Sequence, residues 1–359
     1  MFSFKREKAL VGLDIGSHAV KAVELQVRRK GKKDGFAVAR IGYEPLPHDA
    51  IVEGTIIDST AVVETIKAVF DKNKIGGRDV VISVSGNSVI IKKISLPVMG
   101  TEELGESIIW EAKHNIPYPY EETHVDYAIL KPSSAAESQN LEILLVAAKK
   151  DKIASYSNVI HQARKTLEAV EVDAFALFNA LEVNYPEDFQ EQTTVLVNMG
   201  ATITTIVICK KGVPQLFRDL PIGGFYFAEN IRKDLNVKYE EAEDMLKGIP
   251  PKTVKPYEFE AVLTVNIKSL LEEVEKTFTF YEAEDQQQKK IEQIFLSGGL
   301  ASLKNISVAF EQKFGVKTIL FDPFRTVFYN EKKLKPVYYQ EMAPFFGVAL
   351  GLATRKKEK

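Results

Sequence analysis

The feature that most constrains this chain is a hairpin design that occurs twice. Val11-Gly-Leu-Asp14-Ile-Gly16-Ser17-His18-Ala-Val-Lys21-Ala-Val-Glu24-Leu25 reads as an apolar strand, a tight turn and a second strand. Thr193-Thr-Val-Leu-Val-Asn198-Met-Gly200-Ala201-Thr202-Ile-Thr204 repeats it: apolar strand, polar residue, any residue, glycine, small turn, apolar strand. Two copies, each opening one half of the chain, indicate an internal duplication. A glycine at such a turn lets backbone N–H groups close on a phosphate chain. Asp14 just ahead of it can hold a magnesium ion through water. Ser17 adds a hydroxyl and Lys21 a cation within reach of phosphates. The competing reading is a surface hairpin whose Asp14 satisfies backbone donors. In a duplicated pair the two turns can face each other across a cleft and grip one phosphate chain from both sides.

The 359 residues suit two domains of moderate size. A net charge of −2 provides no field that would draw the chain to nucleic acid. The single cysteine, Cys209, sits in an apolar run. It reads as a core filler rather than a nucleophile, and a lone thiol points to a reducing cytoplasm. No stretch approaches the roughly 18 continuous apolar residues of a membrane span. Met1 to Lys8 lacks the apolar core of a signal peptide. A membrane role is therefore expected only through a partner.

In order, Gly35 to Pro45 reads as a third strand after a basic loop, Arg28 to Lys33, taken as a solvated tip or an anionic-lipid contact. Asp58-Ser-Thr starts a helix with Val62, Val63, Ile66, Val69 and Phe70 on one face. Val80 to Val84 is a buried strand. Ser88 to Leu96 then alternates, and Thr101 as N-cap opens a helix over Glu102 to Asn115. After the break Ile116-Pro-Tyr-Pro-Tyr, strands Val125–Leu130 and Leu141–Ala147 flank a loop from Ser133 to Asn140. This block is a small αβ module inserted into the first domain. Trp110, on its helix, is read as core or as a groove-lining anchor. Helices are expected at Asp151–Leu167, Asp173–Val183, Gly223–Leu235 and Glu240–Lys247. A long amphipathic helix follows over Pro256–Asp285. The divisions read from this pattern are 1–85, 86–150, 151–190, 191–340 and 341–359.

A third element completes the set. Ile294-Phe-Leu-Ser297-Gly298-Gly299 ends a buried strand in a glycine pair and passes into a helix. There a flat ring or a ribose can lie against backbone and free N–H groups. The ordered set, closed by Met342-Ala-Pro-Phe-Phe-Gly347-Val-Ala-Leu-Gly351, resembles the actin, Hsp70 and sugar-kinase superfamily of ATP-binding folds. The place of the insert resembles the branch that holds FtsA and the type IV pilus PilM family. Val20-Lys-Ala-Val-Glu24, Trp110-Glu-Ala-Lys-His-Asn-Ile-Pro117, Asp126-Tyr127, Pro221-Ile-Gly-Gly224 and Ala242-Glu243-Asp-Met-Leu-Lys247 look like the PilM family in particular. After Ala353 only Thr-Arg-Lys-Lys-Glu-Lys follows, so the amphipathic membrane helix of FtsA-like chains is not expected.

The resemblance implies an α/β, actin/Hsp70-like two-domain duplicated fold with an FtsA-type inserted αβ subdomain. It implies ATP or ADP with Mg2+ as cofactors. The first phosphate loop would supply Asp14 (to the metal, through water), Gly16, Ser17, His18 and Lys21. The second would supply Asn198, Gly200, Ala201 and Thr202, and the adenosine motif Ser297, Gly298 and Gly299. Glu243 and Lys247 would flank the adenine, although their spacing also suits a surface ion pair. Asp173 is either a water-activating group or a helix N-cap. Asn198 stands where ATP-hydrolysing relatives usually have Asp. It carries no charge and takes no proton, so slow or absent hydrolysis is expected, with nucleotide as a clamp between domains.

The implied partner is the N-terminal cytoplasmic peptide of PilN, in a groove beside Ser88–Pro97 and Glu102–Ile116. Pilus motor ATPases and a homo-oligomer on the inner-membrane platform are further implied partners, with the membrane reached only through PilN. Two other classes stand beside this adaptor reading. One is an FtsA-like ATP-dependent filament. The other is an active ATPase or sugar-kinase-like phosphotransferase, for which no sugar site is visible.

Overall fold

Val11–Ile15 (β1) is buried at every position because it is the middle strand of a five-stranded sheet. Ala19–Lys30 (β2) returns antiparallel to it, and Lys33–Pro45 (β3) pairs antiparallel with β2. On the other side Asp79–Val84 (β6) and Thr166–Val172 (β10) run parallel. Strands covered on both faces read as continuous apolar runs, which is how Val80–Val84 is written. The computed structural model describes residues 10–30, 33–130, 140–284, 290–329 and 341–355. The expected tip of the basic loop at 31–32, the loop 131–139 and the basic tail 356–359 lie outside them.

The second half repeats the design. Thr193–Met199 (β11) is central, with Thr204–Lys210 (β12) and Val213–Leu220 (β13) antiparallel on one side. Gln293–Ser297 (β14) and Lys317–Leu320 (β15) are parallel on the other. The strand orders β3-β2-β1-β6-β10 and β13-β12-β11-β14-β15 are the same.

Each sheet is covered outside by its own helices. Ser59–Lys72 (α1) and Lys150–Gln162 (α3) close the first core. Pro256–Glu284 (α8) and Ile306–Phe314 (α9) close the second through Leu270, Val274, Phe278 and Phe310. Between the sheets lie Asp173–Asn184 (α4) and Gly347–Ala353 (α10), in one core that joins the halves and holds Cys209. Burial pushes the Cys209 thiol up to about 12, so it is inert packing. The two helices cross so closely that a Cβ on Gly351 would sit 1.7 Å from the Ala176 carbonyl oxygen.

The inserted module is a three-stranded sheet, Val89–Pro97 (β7), Asn140–Lys149 (β9) and Thr123–Ile129 (β8) in that order. Thr101–Asn115 (α2) covers one face through Leu104, Ile108 and Ala112.

Several expectations need correcting. The helix expected to reach Leu167 ends at Gln162. Arg164 adopts a left-handed φ of 58° while Lys165 donates to the Ile160 carbonyl, a Schellman stop. The chain after it is β10, whose neighbour β6 supplies the pairing. Thr101 is the first helical residue, with Gly100 at the N-cap and no side-chain cap. Asp173 likewise follows its N-cap, Val172. Trp110 is not core: it is 58% exposed and stacks on His114 at 4.0 Å. A small hairpin, Ile51–Val52 (β4) and Thr55–Ile56 (β5), was not foreseen. By contrast Asp58 caps α1 as expected, accepting from the Ala61 N–H at 2.9 Å.

Candidate functional site: the cleft between the halves

The two hairpin turns have the same construction. The N–H of Gly16 donates to the carbonyl of Ala19 at 3.1 Å, and that of Gly200 to Ile203 at 2.9 Å. Each bond closes its turn and leaves the next two N–H groups out of the ladder. Those of Ser17, His18, Ala201 and Thr202 have no acceptor among the described residues. In the second loop the carbonyls are turned away from the cleft. Gly200 and Ala201 accept from the N–H groups of Gly224 and Phe225, which open the helix Gly224–Leu235 (α6). That close seat requires glycine, since a Cβ on Gly223 would lie 2.5 Å from the Ala201 oxygen. Gly298, with φ +87°, presses on the same loop, its missing Cβ 2.3 Å from the Met199 oxygen. Outward N–H groups from two facing loops form an anion cradle.

The cleft has an open volume of about 1390 Å³. It gathers Asp14, Gly16, Ser17, His18 and Lys21 from the first half with Asn198, Gly200, Ala201 and Thr202 from the second. Glu243, Lys247, Gly298, Gly299 and Asp173 also line it. Ser297 does not: its buried hydroxyl donates to the Pro344 carbonyl at 2.9 Å, tying β14 to the hinge. The alternative Glu243–Lys247 ion pair is not formed. Glu243, on the helix Tyr239–Leu246 (α7), faces His18 at 3.5 Å, and Lys247 contacts Asp244 at 3.4 Å.

The first half brings a buried charged pair to the cleft. Lys21 Nζ donates to Asp14 Oδ2 at 2.8 Å across the β1–β2 ladder. Burial pulls the Lys21 pKa down, but the charge and hydrogen bond of Asp14 outweigh it and hold the ammonium above its ordinary value. Burial, together with the nearby charge of Asp14, pushes the Asp173 carboxyl up to about 6, against hydrogen bonds from Ser83 and Ser85. At neutral pH Asp173 is therefore mostly ionised but within easy reach of a proton.

The mouth is closed by aromatic contacts between halves. His48 packs on Tyr239 at 4.4 Å and on Phe225 at 5.5 Å, and His18 meets Phe225 at 6.3 Å. Burial lowers the His18 pKa more than Glu243 raises it.

The residues present fit a nucleotide with magnesium. Thr202 Oγ1 is buried in the second loop without a hydrogen-bond partner, an orphan that a phosphate oxygen would satisfy. Among the described residues no group of three or more His, Cys, Asp or Glu could hold a metal by itself. Mg2+ at Asp14 would instead take phosphate and water oxygens, its usual habit. Sequence reasoning missed Ser83 and Ser85, which lie at and just beyond the carboxyl end of a parallel strand, the usual place for ligands in such sheets. It also missed Lys152, Tyr156 and Gly54, which line the cleft from α3 and the unforeseen hairpin.

A second groove, of about 930 Å³ open volume, lies where module, first half and second half meet. Val89, Ile90 and Ile91 of β7 and Tyr118 face Phe217 and Arg218 of β13 across it. Asp219 bridges the halves at its edge, accepting from the Gly86 N–H at 2.9 Å and the Thr205 hydroxyl at 2.7 Å. Ser85 lines both this groove and the cleft.

The profile described as type IV pilus assembly protein PilM matches residues 12–357. The chain is 22% identical over 307 residues to the cell division protein FtsA of Bacillus subtilis (strain 168), covering 79% of this chain and 67% of that protein. Among solved structures it superposes on a PilM-PilN type IV pilus biogenesis complex with a TM-score of 0.85 and 26% identity, covering 99% of this chain and 100% of that one. It also resembles MreB5 of Spiroplasma citri bound to ADP, with a TM-score of 0.52 and 14% identity over 96% and 95% of the two chains. The last likeness is one of fold alone, and the fold is that of the actin-like ATPases.

Proposed function

The chain belongs to the family of the type IV pilus assembly protein PilM, and on that premise we propose that it is a nucleotide-loaded adaptor of a pilus assembly platform. In this reading the second groove, which β7 lines as expected but no residue of α2 does and which β13 of the second half walls, receives the N-terminal cytoplasmic peptide of PilN, and the cleft holds ATP or ADP with Mg2+ as a clamp between the halves. The observation that carries the proposal is Ser85. It lines both sites and bonds Asp173, so a ligand that shifts the cleft floor alters the groove wall.

The bound nucleotide would supply the negative charge that the four free loop N–H groups await. Asp14 would hold the metal through water, its Oδ2 already accepting from Lys21. Gly298 and Gly299 would admit the adenosine, with Glu243 and Lys247 beside it. Asp173 would take a proton from water, but Asn198 leaves one metal-facing acid where hydrolytic relatives usually have two. Turnover is accordingly slow. No helix among the described residues is long and apolar enough to cross a membrane, and attachment to one would run through PilN. Motor ATPases and further copies of the chain are candidate platform partners. We keep the divisions 1–85, 86–150, 151–190, 191–340 and 341–359 as working domains.

Calorimetry with a PilN N-terminal peptide tests the adaptor reading. Binding to the wild type and its loss in Ile91→Glu, with the fold intact by circular dichroism, is expected. Failure of the peptide to bind, together with ATP-driven polymers in sedimentation, would replace the adaptor by an FtsA-like filament.

A further inference from the structure

Lys152 is a buried lysine in the wall of the cleft, in the first turn of α3. An ammonium has three donors. Here Lys152 Nζ donates to the carbonyl of Gly54, and no carboxylate lies within ion-pair distance among the described residues. The other cation of the cleft floor, Lys21, is already paired with Asp14. The charge that most supports Lys152 in its buried place is Asp173, and Tyr156 one turn further feels both Asp173 and Asp14. Lys152 thus shares the cleft wall with Tyr156 and Gly54, under the charge of Asp173.

Its acceptor is the tip of the β4–β5 hairpin. Glu53 and Gly54 form that turn with φ of 47° and 73°, a left-handed pair. The Gly54 carbonyl also accepts from the Tyr156 hydroxyl at 3.1 Å. Two side chains of one helix thus pin a two-strand hairpin whose flanks expose Val52 and Ile57, at 43% and 65%.

We propose that Lys152 is the sensor of the terminal phosphate, exchanging the Gly54 carbonyl for a phosphate oxygen and so releasing the β4–β5 hairpin when the nucleotide is a triphosphate. The inference rests on the nucleotide reading of the cleft. A phosphate oxygen adds charge–charge attraction to the hydrogen bond that the ammonium already makes with a neutral carbonyl, so the exchange is favoured when the phosphate is present and reversed when it is not. The diphosphate, shorter by that group, leaves the hairpin pinned by Lys152.

The test measures Mg-ATP and Mg-ADP affinity by calorimetry on the full chain, with hydrogen exchange of residues 51–57 in each state. Wild type is expected to bind both and to exchange faster in this segment with ATP than with ADP. Lys152→Met should lose about tenfold or more in ATP affinity and under about threefold for ADP, with the exchange difference abolished. Lys152→Arg should restore part of the discrimination. Tyr156→Phe should raise exchange in both states and keep the affinity ratio. Equal losses for both nucleotides in Lys152→Met, or equal hairpin exchange with ATP and ADP in wild type, would overturn the inference while leaving the nucleotide site standing. No binding of either nucleotide to wild type would overturn both.

Discussion

The two halves of this molecule share a strand order, a turn and a closing hydrogen bond, yet only one of them carries charge at the paired ladder positions beside that turn. Asp14 and Lys21 are cross-strand partners in the first half. Their counterparts in the second, Asn198 and Thr205, occupy the same ladder positions and carry no charge. Gly16 and Gly200 close their turns alike. Serine recurs too: Ser83 bonds Asp173 at the start of one connecting helix, and Ser297 bonds Pro344 ahead of the other. Duplication supplied the frame, then, and the chemistry diverged on it. The first half brings the buried pair of Asp14 and Lys21, with Asp173 and Lys152 beside them. The second offers an orphan hydroxyl and close glycine packing at its turn, with its charges, Glu243 and Lys247, set apart at α7.

The comparison breaks most visibly at the charged pair. Asp14→Ala leaves Lys21 buried without its partner and should cost about 4 kcal/mol in urea unfolding. Importing the second half's solution, Asp14→Asn with Lys21→Thr, should recover most of that stability while losing Mg-ATP affinity. A double variant as unstable as the single one would show that the two ladders are not interchangeable.

Next in size is the hinge that both halves share. Gly351→Ala drives a methyl into the Ala176 backbone and should cost roughly 3 kcal/mol by forcing α4 and α10 apart. An unchanged unfolding midpoint would mean the helices shift freely, and the clamp would lose its rigid axis.

Asp173 sharpens the asymmetry through pH. Its folded pKa of about 6 lies above the unfolded value near ~3.9. The folded state therefore binds the proton more tightly, and its contribution to stability falls as pH rises from about 4 to about 6. Asp173→Asn removes that penalty. It should be about 3 kcal/mol more stable than wild type at pH 8 and show no advantage below about pH 4. An advantage that does not vary with pH would place the gain elsewhere. The smallest expected effect is Thr202→Val. Removing the orphan hydroxyl should stabilise the free protein by about 1 kcal/mol and weaken nucleotide binding severalfold, and loss of stability would contradict the reading of that hydroxyl.

Much of this was legible in sequence because duplication wrote it twice. The hairpins, the glycine pair before α9 and the apolar stripe of α8 follow from local pattern. So does the place of the insert, since Val80–Val84 and the module differ in rhythm. What was hidden depended on tertiary neighbours. Thr166 and Leu167 continue a helical pattern but open a strand, because β6 has a free edge and Arg164 turns left-handed. Lys152 carries no motif; its burial is set by a hairpin of two-residue strands too short to announce itself. Trp110 shares α2 with buried Leu104, Ile108 and Ala112, but its position points off the sheet. Ser297 belongs to a motif yet turns its hydroxyl to the hinge, because Pro344 offers a carbonyl there.

The central claim is that two facing loops hold a triphosphate which one acid and one amide hydrolyse poorly. The direct measurement is to incubate the purified protein with Mg-ATP, with and without a PilN N-terminal peptide, remove free nucleotide and quantify the ATP and ADP retained. Intact ATP held in near-equal amount to protein in both samples is the predicted result. Retained ADP formed within minutes would show that Asn198 does not limit the chemistry, and no retained nucleotide would contradict the account of the cleft.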